Sequence, residues 1–403
     1  MSERFDIVIV GAGMIGLTLA GLLARSQHAD RLAITVLDAG IRPDSPADAD
    51  VDLRVSAVSL GSASLLRGLG AWDTISSVRA SAFEGMRVWD ARSEFDGPET
   101  LCFDAADFGV PELGFIVENV LIRVALLDAL ADANVDLRFA TPIRSVDAAA
   151  SERRFDVHLD NGEVLSPDLL IGADGAGSLV RKGASIPVRA WQYPQSALVT
   201  HVRPELPHQA IAWQRFLKNG PIALLPLADG RASVVWSTSP EKVAEALDAD
   251  AAGLGEMLTT ASDGVLGELV VEGPAGSFPL RAQHALRYIE PGLALVGDAA
   301  HSVHPLAGQG ANLGFADADA LARAIASAIQ AGEYPGDLPT LRHYERARRG
   351  ANATMLHFID SINRLFLSDR GLLAGLRTSG MRLFNRSGPI RRRAVEVALG
   401  INI

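Results

Sequence analysis

The sequence predicts an α/β chain: a parallel-sheet unit with glycine-rich turns, an antiparallel sheet inserted into it, and a helical C-terminal end. Three observations carry this reading. Residues 5–38 alternate strand, glycine turn, helix and strand; residues 210–240 hold three short strands separated by turns; and beyond Ile325 apolar residues recur at helical spacing.

FDIVIV at 5–10 reads as a buried strand, GAGMIG at 11–16 as a turn, LTLAGLLA at 17–24 as a helix, and LAITVL at 32–37 as a second strand ending in Asp38. Gly11, Gly13 and Gly16 supply a tight turn, a close approach to a pyrophosphate and helix–strand packing, and an acid about 22 residues on suits ribose hydroxyls. The pattern is that of a dinucleotide fold, with Asp38 as the acid.

Residues 52–70 read as a loop that becomes a helix stopping at glycine, with Arg54 just before it. A strand is expected at 86–90, one capped helix over 114–130 with Arg123 near its start, and strands at 139–146 and 154–159, with Asn161-Gly162 as a hairpin turn. Residues 168–174 form a further strand ending at Asp174-Gly175, with Ser178 and Arg181 just beyond. The strands at 210–216, 221–227 and 231–237, turned at Asp229-Gly230, form an antiparallel meander, and 241–269 reads as helical.

Leu293–Val296 is a strand ending at Gly297-Asp298. Pro305, Gly308, Gly310, Asn312 and Gly314 then break regular structure before a helix resumes at Asp317. A glycine-rich loop entering a helix presents bare N–H groups at the positive end of the helix dipole, which suits an electron-rich ligand. The remaining chain is helical, with breaks expected at Gly350, Gly371, Gly380 and Ser387-Gly-Pro389. Residues 1–75, 101–182 and 284–330 are assigned to the first domain, 76–100 and 183–283 to the inserted one, and 331–403 to the helical end.

With 403 residues, 48% of them apolar and 21% charged, the chain has ample core for two soluble domains or one large elaborated one. Its formal charge of −11 argues against nucleic acid as a partner. From Thr340 onward, however, twelve arginines face four acidic residues. Cys102 is the single cysteine, which suits a reducing compartment and is read as a small buried side chain. No Cys/His cluster has metal-ligand spacing. Asp6 and the glycines of 7–24 argue against a signal peptide, and a cytoplasmic location is expected.

GAGMIG at 11–16, DLLIGADGAGSLVR at 168–181 and LVGDAAHSVHPLAGQGANLG at 295–314 together resemble the three FAD motifs of the single-component flavoprotein aromatic hydroxylases. LRVSAVS at 53–59, FIVENVLIRVALL at 115–127 and FLKNGPIALLPL at 216–227 narrow the resemblance to the ubiquinone-biosynthesis hydroxylases, over essentially the whole chain. The resemblance implies a Rossmann-like FAD-binding domain with an inserted antiparallel-sheet substrate domain. It places Gly11, Gly13 and Gly16 on the FAD pyrophosphate, Asp38 on the ribose, and Arg54 and Arg123 along the cofactor. Asp174 and Gly175 would serve FAD and the approach of NAD(P)H, and Asp298 the ribityl chain. Pro305, Gly308, Gly310, Ala311 and Asn312 would lie at the flavin ring; Pro305, Gly308 and Gly310 position it, with no acid–base side chain assigned.

The implied reaction is ring hydroxylation of a polyprenylated phenol by O2 through a flavin C4a-hydroperoxide, with electrons from NAD(P)H or an electron-transfer protein. Two departures from the family pattern stand out. The strands of 210–240 carry no tyrosine to ionise a phenol; Trp213, Phe216, Leu224 and Leu225 suggest an apolar substrate pocket instead. Ala311 replaces the usual leucine beside the flavin. His301 and His304 are read as hydrogen-bonding the loop. The arginine-rich end could dock on an anionic membrane surface or on sister enzymes of the pathway, and a homo-oligomer is a separate expectation. Hydroxylation of a small soluble aromatic, or an FAD-bearing scaffold role without turnover, are the competing readings.

Overall fold

The computed structural model describes residues 4–46, 50–149, 155–304, 309–367 and 387–400. The first sheet follows from the alternation seen at the N-terminus. β1 (Phe5–Val10) runs through α1 (Met14–Ala24) into β2 (Leu32–Leu37), and the two strands pair in parallel with Ile7 opposite Ile34. β3 (Val55–Ser59) leads into α2 (Leu60–Gly68) and α3 (Trp72–Arg79). Three short strands follow, β4 (Ser81–Phe83), β5 (Gly85–Asp90) and β6 (Leu101–Asp104), then the single-turn α4 (Ala105–Phe108).

Next, the structure differs from the helix expected over 114–130. Gly114–Glu118 is a strand, β7, and only Asn119–Ala129 is helical, as α5. The β-branched run Phe-Ile-Val pairs antiparallel with both β3 and β4, so a tertiary partner overrides the helical spacing. The strand expected at 139–146 is likewise split. β8 (Val135–Arg138) and β9 (Ile143–Ala148) are separated by a turn in which Ala140 takes φ +49°. β10 (Phe155–Leu159) and β11 (Val164–Leu165) complete a small three-stranded sheet with β9.

β12 (Leu169–Gly172) returns to the parallel sheet beside β1, and α6 (Leu179–Gly183) follows it. The inserted sheet is larger than the meander that was expected. Its spine is the 17-residue β13 (Val188–Pro204), whose internal Pro194 sits where the register shifts. β14 (Ile211–Leu217), β15 (Gly220–Pro226) and β16 (Ala232–Thr238) form the expected hairpins. The helix expected over 241–269 is two helices, because Ser239 and Asp250 each cap a new start: α7 (Pro240–Asp248) and α8 (Ala251–Ala261). β17 (Leu269–Val271) and β18 (Gly276–Ala285) close the sheet, and β5 and β6 extend its far edge, so Leu101–Asp104 pairs with the large sheet.

The chain re-enters the parallel sheet as β19 (Ile289–Glu290) and β20 (Leu293–Leu295), giving the order β19-β20-β12-β1-β2-β8. A 3-10 turn at Gly297–Ala299 and the short β21 (His301–Ser302) lead to α9 (Gln309–Ala331). α10 (Leu338–Leu367) runs unbroken through Gly350, where a break was expected; a single glycine costs a helix only about 1 kcal/mol, and packing on α9 and β19 outweighs it. α11 (Gly388–Leu399) ends the described chain; Gly371 and Gly380 lie outside it. One core surrounds the parallel sheet, and a second fills the space between the large sheet and α7–α8.

Candidate active site

Three loops at the C-terminal edge of the parallel sheet meet in one cleft. In the first, a Cβ on Gly11 would lie 2.4 Å from Ala173 O and one on Gly16 would lie 1.9 Å from Gly11 O, so both positions exclude any larger residue. Gly13 differs: a Cβ there would meet nothing within 4 Å among the described residues. It is also the N-cap of α1, with no side-chain cap, which leaves the helix N–H groups facing open space. Arg123 donates from Nε to Ala12 O at 3.0 Å. Asp38 accepts from Ala12 N and Gly40 N, each at 2.7 Å, so its carboxylate shapes the loop with one lone pair per oxygen still available.

In the second loop Asp174 accepts at Oδ2 from the N–H groups of Leu179 and Val180, at 2.7 and 3.2 Å. Its Oδ1 is buried and has no hydrogen-bond partner among the described residues, a vacancy that calls for a donor. Gly175 beside it takes φ +77°.

The third loop carries Asp298, whose side chain is exposed. The protein packed around it pushes its carboxyl pKa up, while His301 and Arg54 pull the other way. Arg54 lines the neighbouring cavity, and its guanidinium makes no hydrogen bond among the described residues. Asn312 occupies the first turn of α9, but its amide is committed to structure. Oδ1 accepts from Ser59 N and Ser62 Oγ, and Nδ2 donates to Ala57 O, which clamps β3 and α2 to α9. Gly310 faces Val303, and Ala311 packs against the main core. Pro305 and Gly308 lie outside the described residues.

Sequence reasoning missed the residues that hold these loops together. Arg181, buried, donates to Ala299 O at 2.7 Å and Ala176 O at 2.8 Å, and so ties the second loop to the third. Gln283 on β18 donates to Ala176 O and to Asp298 O, at 3.0 and 2.9 Å. Asp317, fully buried on α9, accepts from Gly297 N, His301 Nε2, Arg348 Nε and Asn352 Nδ2. Burial pushes its carboxyl up, but His301 and Arg348 outweigh that and hold it below the usual range. His301 therefore serves the loop through Asp317. His304 is buried with its ring edge-on to Tyr193, and burial drives its pKa down to about 4. The periodicity of α9 marks Asp317 only as one more helical position, and nothing in the local sequence marks Gln283.

Beside the cleft lies a largely apolar cavity of about 610 Å³. Arg54, Ser59 and Asn312 line its cleft end; Phe83, Phe103 and Ile116 are among the residues of its apolar body. Of the residues expected at the substrate, Trp213 turns its ring to the α7–α8 side, opposite Leu224 and edge-on to Trp89, and Leu225 lies on the cavity wall. Leu224 and Phe216 do not. The two-residue period of β15 turns Leu224 onto the α7–α8 side of the sheet, and Phe216 is stacked on Phe366 of α10 at 3.9 Å. Cys102, expected to be buried, is half-buried on the edge strand β6.

Comparison with known proteins agrees with this geometry. The family described as FAD binding domain matches residues 4–358. The 3-demethoxyubiquinol 3-hydroxylase of Escherichia coli K12 is 38% identical over 400 residues, covering 99% of this chain and 100% of that protein. The chain belongs to the FAD-dependent ubiquinone-biosynthesis hydroxylase family. Another relative, the mitochondrial ubiquinone biosynthesis monooxygenase COQ6 of Homo sapiens, is 36% identical over 437 residues, covering 98% of this chain and 92% of that one. Among solved structures, p-nitrophenol 4-monooxygenase PnpA of Pseudomonas putida shares the fold at a TM-score of 0.76 and 17% identity, with all of both chains covered. PqsL of Pseudomonas aeruginosa with 2-aminobenzoylacetate has a TM-score of 0.75 at 23% identity, covering 94% of this chain and 99% of that one.

This family member is an FAD-dependent monooxygenase. The residues present fit FAD: an open, uncapped helix N-terminus behind a glycine cradle, a buried carboxylate oxygen awaiting a donor, and an unpaired arginine across from Asp298. No helix among the described residues is long and apolar enough to cross a membrane, and no group of three or more His, Cys, Asp or Glu among them could hold a metal.

Proposed function

We propose that the chain hydroxylates the aromatic ring of a polyprenylated phenol on the way to ubiquinone, using O2 and electrons from NAD(P)H. The observation that carries this reading is the apolar cavity of about 610 Å³ opening at its polar end beside Arg54 and Asn312. Its dimensions and lining suit a phenol ring with an isoprenoid chain better than a charged soluble aromatic. The E. coli and human relatives, named for ubiquinone biosynthesis, support the same class.

In this reading Gly11, Gly13 and Gly16 and the α1 N-terminus receive the FAD pyrophosphate, Arg123 adds positive charge, and Asp38 accepts from the ribose. Asp174 Oδ1 accepts a hydroxyl of the cofactor or reductant, and Asp298 a ribityl hydroxyl. When bound, FAD supplies the reduction of O2 and the transfer of one oxygen atom. The protein orients and desolvates. Leu225 and its neighbours on the cavity wall hold the ring, Arg54 offsets negative charge at the cleft, and the greasy walls exclude water that would divert the oxidant. We assign the parallel-sheet portion to the cofactor and the large sheet, with its edge strand Leu101–Asp104, to the substrate. A cytoplasmic protein with its basic C-terminal region against an anionic membrane fits a lipid-borne substrate.

Quinone profiling by mass spectrometry in a strain lacking the protein tests the proposal. A prenylated phenol short of one hydroxyl should accumulate; an unchanged quinone pool would overturn it.

A further inference from the structure

The arginine-rich C-terminus finds no role in the cofactor site, yet α11 reaches the substrate cavity. Arg391, Val395 and Leu399 recur at four-residue spacing and so share one face of the helix. Arg392 and Arg393, 65% and 64% exposed, pair with Glu396 away from that face. The inner face packs on α4 at its start, and farther along Val395 and Leu399 lie on the cavity wall with Phe103, Leu113 and Ile116.

Both ends of the helix are anchored. At its start, Arg391 Nη2 donates to Cys102 O at 2.5 Å and to Asp107 Oδ2 at 3.0 Å, and the guanidinium lies over the rings of Phe103 and Phe108, 5.5 and 5.7 Å from their centroids. Just past its end, Gly400, at φ +68°, rests backbone to backbone on Gly61; a Cβ on Gly61 would lie 2.7 Å from Gly400 O. Gly61 belongs to the first turn of α2, next to the Ser59 and Ser62 that Asn312 holds. The helix thus spans the cavity from β6 to the junction at the cleft.

We propose that α11 completes the substrate site: Val395 and Leu399 contact the apolar part of the substrate, and Arg391 is the positioning residue that seats them. The proposal rests on the cavity being the prenylphenol site. Without α11, the wall formed by Phe103, Leu113 and Ile116 would face water. Reducing equivalents would then be lost, each NAD(P)H and proton converting one O2 to one hydrogen peroxide.

The test uses the full-length, FAD-loaded protein with two probes, Nile red as an apolar reporter and a short-chain prenylated phenol. Flavin-to-protein absorbance ratio and thermal midpoint report on folding. Leu399→Trp and Val395→Trp should each weaken Nile red and prenylphenol binding about tenfold at unchanged flavin content. Arg391→Ala should raise KM for the prenylphenol and the share of NAD(P)H released as peroxide, with Arg391→Lys restoring most of both and Arg392→Ala matching the parent. If both tryptophan variants load flavin and bind Nile red as tightly as the parent, the proposal fails. A parent that binds Nile red in an α11-dependent way but hydroxylates no prenylphenol would overturn the prenylphenol reading and leave α11 only as the wall of an apolar ligand site.

Discussion

Gly13 and Gly16 sit three residues apart in one turn yet answer to different forces. A methyl group on Gly16 has nowhere to go, 1.9 Å from a carbonyl oxygen, whereas one on Gly13 enters open space. Gly16→Ala should therefore destabilise the fold by about 2 kcal/mol or more and lose flavin with it. Gly13→Ala should keep its melting temperature while FAD binding weakens about tenfold, because the methyl intrudes where phosphate would sit. Calorimetry alongside flavin titration separates the two. A similar contrast holds between neighbours on β15. Leu224→Ala should cost about 2–5 kcal/mol in urea denaturation through a cavity against α7–α8. Leu225→Ala, on the wall of the site, should instead change KM for substrate with a smaller stability loss.

Among the elements, α9 and α10 act as a brace for the Gly297–Ala299 turn, and Asp317 is where the brace closes. Asp317→Asn would leave Arg348 buried without its counter-charge and His301 without its carboxylate partner, at about 3 kcal/mol. Because the folded-state pKa of Asp317 lies below its unfolded value, that contribution is present above the ordinary carboxylate pKa and fades as pH falls through the folded one. Urea midpoints of parent and variant should accordingly converge at acid pH. His304 gives a second, separable pH signature. Its folded pKa of about 4 lies below the free value of 6.5, so it is neutral when folded and takes up a proton on unfolding. Stability should decline as pH drops from about 6.5 toward 4, and His304→Gln should flatten that slope by close to one proton; an unchanged slope would assign the pH dependence to other groups.

Over the whole molecule, a net charge of −11 coexists with a basic C-terminal region, and α10 exposes Phe358, Arg364 and Leu365. Phe358→Asp with Leu365→Asp should abolish flotation with anionic vesicles at low salt while leaving flavin content intact, if this face meets a membrane. At this scale the limits of the linear text also show. The β-α-β unit and the meander hairpins were legible because each is specified locally, by glycine spacing, a two-residue period and turn dipeptides. The strand Gly114–Glu118 was not, because its preference is settled by β3 and β4, sixty and thirty residues upstream. The site divides the same way. Glycines 11, 13 and 16, Asp174 and Asp298 announce themselves, since backbone geometry and strand ends leave a short-range signature. Gln283, Arg181, Asp317 and the inner face of α11 do not, since each works by joining segments that lie far apart in the chain and come together only on folding. By itself the sequence determined what the chain carries, a flavin monooxygenase scaffold with an apolar inserted sheet. Only the tertiary structure decided which side of that sheet faces the substrate and which helix closes the site, because both depend on non-local packing.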